Sequence, residues 1–147
     1  MQRTSDDRVL EIERLIDAAP DAVFDAWVDP AILITWWGPE RITTPQVALE
    51  VHEGGHWSTT MRTPAGDRVV SGTYRTIDRP RLLVFTWAWT GDDGARGDET
   101  VVEVIFEPVA QGTRMRLTQK LFDTTEDRDN HRTGWNSSFN DLEKLFA

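Results

Sequence analysis

The most specific chemical pattern in the chain is His52-Glu53-Gly54-Gly55-His56. Its spacing, H-E-x-x-H, turns two imidazoles to one face of a helix as zinc ligands and holds the carboxylate near the metal-bound water. That chemistry needs the helix. Two adjacent glycines would cost a helix about 2 kcal/mol relative to alanine, and both flanks alternate apolar and polar residues as strands do. The string therefore reads as a hairpin turn with its histidines partly exposed, and neither a metal nor another cofactor is expected. Gly91, Gly94 and Gly97 imitate a phosphate loop, but no helix or lysine follows, and Asp92, Asp93 and Asp98 would repel phosphate. Asn136-Ser137-Ser138 has glycosylation spacing but falls within a helical run. No serine occupies a Gly-x-Ser-x-Gly turn. With no cysteine there is no thiol nucleophile, disulfide framework or cysteine metal site.

What remains is a set of inward strand and helix positions rich in Trp, Met, Tyr, Thr, Ser and Gln, while carboxylates concentrate on the solvent registers. Such a set suits holding an apolar body and satisfying a few polar atoms better than acid–base work. Seven tryptophans against one tyrosine supply large, stiff rings for either a core or a wide apolar pocket. A formal charge of −9 and a pI near 4.7 argue against nucleic acid or an anionic membrane as partner. The 147 residues fit one domain. Met1 to Arg8 lack the apolar run of a signal peptide, and no segment approaches the roughly 20 apolar residues that span a bilayer. The expected location is the cytoplasm.

The elements that must position these residues follow from periodicity. From Glu126 to Phe146, Trp135, Phe139, Leu142, Leu145 and Phe146 fall on one helical face, with Thr124 or Thr125 as N-cap. A helix of roughly 21 residues spans about 31 Å, enough to cross a small domain. Between Asp127 and Thr133 it has no large apolar residue, so that half is expected to border a loop or an opening. Residues 8–18 read as a strand. Two short helices follow, the first starting at Pro20 and carrying Val23, Phe24 and Trp27, the second starting at Asp29-Pro30 and stopped by Gly38-Pro39. From Gln46 the period is two for about 75 residues, giving consecutive strands around Val47-Leu49-Val51, Trp57-Thr59-Met61, Val70-Gly72-Tyr74, Leu83-Phe85-Trp87-Trp89, Val102-Val104-Phe106 and Met115-Leu117-Gln119-Leu121. Gly91 to Asp98 reads as a solvated connection. The expected architecture is α+β, a curved antiparallel sheet wrapped around a long C-terminal helix, diverging from it at one end to leave a cavity.

Ala19-Pro20, Val23-Phe24-Asp25-Ala26-Trp27, Asp29-Pro30, Leu33 and Trp36-Trp37-Gly38-Pro39 resemble the opening of the activator of heat-shock protein 90 ATPase-like family, of the START or Bet v 1-like superfamily. The resemblance continues through Gly54-Gly55, Gly72-Thr73-Tyr74, Pro80-Arg81-Leu82, Phe85-Thr86-Trp87 and Gly112-Thr113 to His131 and Gly134-Trp135. It implies a helix-grip fold with a hydrophobic cavity. A superfamily holding lipid and hormone binders, cyclase-like enzymes and co-chaperone domains passes on its fold and not one function.

The first expectation is a binding protein for a small apolar or aromatic ligand, lined by Trp37, Trp57, Met61, Tyr74, Trp87, Met115, Gln119, Trp135 and Ser138. Tyr74, Gln119 or Ser138 would orient that ligand by hydrogen bonds. The second is a cyclase- or hydrolase-type enzyme with His131 as general base at the mouth of the same cavity. The third is a protein-interaction module. A homodimer stays open, and a chaperone partner is disfavoured because the namesake activator uses this domain beside another, for which 147 residues leave no room.

Overall fold

A computed structural model describes residues 8–38 and 42–147, leaving aside the side chain of Pro45. Pro39, expected to stop the second helix, and the first seven residues lie outside the described ones. Strand β1 (Leu10–Ile16) buries Leu10, Ile12 and Ile16 and leaves Leu15 exposed, as its alternation dictates. Helix α1 (Pro20–Val28) opens on proline, where the missing N–H is no loss. Asp29 ends α1 and caps helix α2 (Pro30–Trp36), its Oδ1 accepting from the Ala31 N–H at 3.0 Å. Gly38 follows at φ +108°, a left-handed exit that suits glycine.

Six strands then run β2 (Thr43–Leu49), β3 (His56–Thr63), β4 (Gly66–Asp78), β5 (Leu82–Trp89), β6 (Thr100–Val109) and β7 (Gly112–Lys120). Strand β2 starts three residues before Gln46, and Val51 lies outside it, exposed. Each strand pairs antiparallel with the next, and β1 closes on the free edge of β7, giving the order β1-β7-β6-β5-β4-β3-β2. The sheet curls into a half-barrel around α3 (Thr125–Leu145). Its concave face is built of cross-strand rows. Ile12, Leu117, Val104, Leu83 and Ile77 form one; Leu10, Gln119, Val102, Phe85 and Tyr74 form the next. Gln119 is thus a polar residue inserted into an otherwise apolar row.

The H-E-x-x-H string is a turn that runs into the first residue of β3, His56, with both histidines exposed. Gly54 N–H donates to the Tyr74 carbonyl at 2.8 Å and Gly55 carbonyl accepts from Tyr74 N–H at 2.9 Å, so the two glycines are tied to β4 and are not helical. The imidazoles therefore never share a helix face.

Arg14 was unmarked by the periodicity, yet it holds α3 against β1. Its guanidinium donates to Asn140 Oδ1 at 3.1 Å, Asn136 Oδ1 at 3.1 Å and the Asn136 carbonyl at 3.2 Å, and it pairs with Glu143. The same group lies 5.9 Å from the Phe139 ring centre. Beneath it, Phe139 and Leu142 pack into a core with Val23, Phe24, Trp27, Trp36 and Met115. No helix among the described residues is long and apolar enough to cross a membrane.

Candidate functional site

Between the N-terminal half of α3 and the sheet lies a cavity of about 370 Å³, within the range of small-molecule sites. The helix supplies Asp127, Asn130, His131, Gly134, Trp135 and Ser138. Apart from Trp135, these recur at three- and four-residue steps along one face, so the cavity follows the helix axis for about 16 Å, eleven residues at 1.5 Å each. Trp37, Met61, Trp87, Thr100, Phe122, Trp135 and Ser138 are buried and form its floor. Arg68, Gly97, Asp98, Asp123, Asp127 and Asn130 are exposed and form its mouth.

Helical spacing explains the opening. Large apolar residues occupy the α3 stripe only from Trp135 onward, whereas the preceding turns present Asp127, Asn130, His131 and Gly134. A Cβ built on Gly134 would meet no atom within 4 Å. No neighbour forces glycine there, although glycine in a helix interior costs roughly 0.5–1 kcal/mol relative to alanine.

The tryptophans divide the interior. All seven belong to one connected cluster, with linked ring centres 4.9 to 6.1 Å apart. Trp36 is fixed in the core by donating from Nε1 to the Ala26 carbonyl at 2.9 Å. Trp37 donates to Thr59 Oγ1 at 2.9 Å and Trp135 to Gln119 Oε1 at 2.8 Å, so both are packed and present a face to the cavity. The indole N–H groups of Trp27 and Trp87 are buried without a partner among the described residues.

Of the nine residues expected on the wall, Trp37, Met61, Trp87, Trp135 and Ser138 lie there. The other four do not. Trp57 and Tyr74 line a separate void of about 10 Å³, room for one water at most. Burial there pushes the Tyr74 hydroxyl pKa up. Trp57 Nε1 reaches the Thr86 carbonyl at 3.0 Å. It does so across Gly72, where a Cβ would fall 2.7 Å from that nitrogen and 1.8 Å from that oxygen. Met115 is fully buried and packed within the core. Gln119 is fully buried too and is used inside the protein: besides accepting from Trp135, it donates from Nε2 to Thr100 Oγ1 at 2.8 Å. It positions two wall residues rather than a ligand.

The same alternation placed Leu121 inward, but the chain leaves β7 there at φ +75°, a strained region for leucine. Leu121 is 61% exposed and Phe122, 2% exposed, takes the inward place on the cavity floor. Also unanticipated are the carboxylates at the mouth. Asp98 comes from the β5–β6 connection, Asp123 from the β7–α3 connection and Asp127 from the first turn of α3. Only the folded chain brings them together, and the expectation of a gap lined by rings without ionised groups holds for the floor alone.

His131 sits at the junction of floor and mouth. Trp89 Nε1 donates to His131 Nε2 at 3.1 Å, and His131 Nδ1 lies 2.7 Å from the Asp127 main-chain carbonyl. An indole only donates and a carbonyl only accepts, so the ring is neutral with its proton on Nδ1. Burial lowers its pKa most, and Arg68 adds to the lowering against the opposing effects of Asp127. The Arg68 guanidinium stacks 4.3 Å from the Trp89 ring centre.

The Activator of Hsp90 ATPase homolog 1-like protein family matches residues 17–147. The crystal structure of the AHSA1 protein of Silicibacter pomeroyi is similar at 35% identity and a TM-score of 0.86, over 93% of this chain and 96% of that one. Two further structures share the fold alone. A Chromobacterium violaceum protein is 18% identical with a TM-score of 0.85, over 95% of this chain and 97% of its own. An Arthrobacter aurescens protein is 24% identical with a TM-score of 0.82, over 97% and 89% respectively. No functionally curated protein matches the chain. The helix-grip architecture, the extent of the family match and the identity to the Silicibacter protein agree: this chain is a member of the Activator of Hsp90 ATPase homolog 1-like family.

Proposed function

We propose that this protein binds a small, largely apolar or aromatic molecule in the cavity between the sheet and α3. The observation that carries this reading is the open wall at Gly134. A glycine that weakens its own helix, with nothing within 4 Å of a built Cβ, stands beside a buried floor of aromatic rings. Ser138, buried on the floor, offers a polar atom of the kind such a site needs to orient its occupant.

The test is a thermal-shift screen of bicyclic aromatic compounds against the wild type and Gly134→Leu, supported by native mass spectrometry of the freshly purified protein. Compounds that raise the melting temperature of the wild type should fail to do so in Gly134→Leu, whose side chain enters the cavity. Equal stabilisation of both proteins would place the binding elsewhere and end this reading.

A cyclase- or hydrolase-type reaction using His131 draws less support. The lone pair a general base needs is engaged by Trp89, and Nδ1 faces a main-chain carbonyl rather than a carboxylate. A co-chaperone-like docking role draws less as well, since the exposed large apolar residues Leu15, Ile34, Val51, Ile105, Leu121 and Leu145 are spread over strands, helices and connections.

A further inference from the structure

Resting on the reading just given, we infer the charge of the ligand: an aromatic or apolar body that carries a cationic amine head, with the body on the tryptophan floor and the ammonium at the mouth. Three carboxylates, Asp98, Asp123 and Asp127, line the cavity against one cation, Arg68. None of the three carboxylates is in an ion pair among the described residues. His131 adds no charge, because its Nε2 accepts from Trp89. The N-terminus of α3 contributes roughly half a positive charge, which the neighbouring Glu126 in the first turn offsets.

One observation besides the acids points to an occupant. Ser138, 4% exposed and on the cavity floor, makes no hydrogen bond among the described residues, so its hydroxyl is left for a polar atom of the ligand. At the rim, the one cation, Arg68, is drawn onto the Trp89 ring at 4.3 Å from its centre and pairs with none of the three carboxylates among the described residues. A ligand carboxylate would face Arg68 alone and three like charges, whereas an ammonium meets the opposite balance.

The experiment uses three naphthalene compounds of matched shape, bearing an aminomethyl, an ethyl or a carboxymethyl group, titrated calorimetrically into the full chain. At low ionic strength the ammonium is expected to bind about tenfold tighter than the ethyl compound, narrowing to about twofold at 0.5 M salt as the charges are screened. The carboxylate should bind weakest. In Asp98→Asn/Asp127→Asn the ratio of ammonium to ethyl affinity, both measured on that variant, should fall to near parity. Equal affinities in the wild type, a preference for the carboxylate, or an ammonium preference insensitive to both salt and the double substitution would overturn the charge assignment and leave the apolar site standing. Failure of all three to bind would remove the binding reading together with it.

Discussion

The two ends of α3 lie against the same curled sheet and do opposite things. From Trp135 onward the helix carries Phe139 and Leu142 into a space already occupied by Phe24, Trp27, Trp36 and Met115, and Arg14 clamps it from β1. Before Trp135, its inner face offers Asp127, Asn130, His131 and Gly134, and a cavity of about 370 Å³ lies between helix and sheet. Side-chain size along one helical stripe decides the difference. The filled end holds the fold, which leaves the other end free to be open.

The contrast is best broken from the filled end. Phe139→Ala should produce the largest loss, about 3–5 kcal/mol in denaturant unfolding, because removing a fully buried ring packed against Trp27, Trp36 and Trp135 leaves a void in the core. A loss under 1 kcal/mol would mean that this end is no better packed than the other. Gln119→Leu probes the border. It keeps the volume but strands the Trp135 N–H, and should cost about 1–3 kcal/mol. Gln119→Glu should cost less at low pH, where a protonated acid can again donate to Thr100.

The open end should respond more weakly and in other ways. The folded-state pKa of His131 lies below its unfolded value, so the native state binds fewer protons than the unfolded one. Its contribution is complete above the ordinary histidine range and is lost as the pH falls through that range toward the folded-state value. His131→Gln should flatten this limb of a melting-temperature profile between pH 7 and 5, while an unchanged limb would assign it to other groups. The smallest effect has the opposite sign: Gly134→Ala should stabilise by about 0.5–1 kcal/mol, since its methyl meets nothing. Destabilisation would show that a neighbour stands against the helix at Gly134.

Much of the fold was legible because it repeats. Period two from Val47 to Gln119 and the three-and-four spacing from Trp135 each bury a continuous face, and a continuous face leaves a mark on sequence. The absence of large apolar residues between Asp127 and Thr133 pointed to an opening, and the cavity lies there. The site was less legible because membership of an inward register does not say what stands opposite. Trp57, Tyr74, Met115 and Gln119 share registers with wall residues, yet each meets protein. Periodicity fails outright where the backbone leaves its register, as at Leu121, and it carries no information on Asp98, Asp123 and Asp127, which come from three segments.

The continuity of the indole cluster has an optical consequence. Rings this close pass excitation from one to the next, so light absorbed anywhere among the seven migrates before it is emitted. Emission therefore reports on whichever ring drains the network, and the imidazole beside Trp89 is placed to quench it once protonated. A molecule settling against Trp87 or Trp135 would dim or shift the whole spectrum, which gives the protein an intrinsic signal for occupancy that needs no added dye.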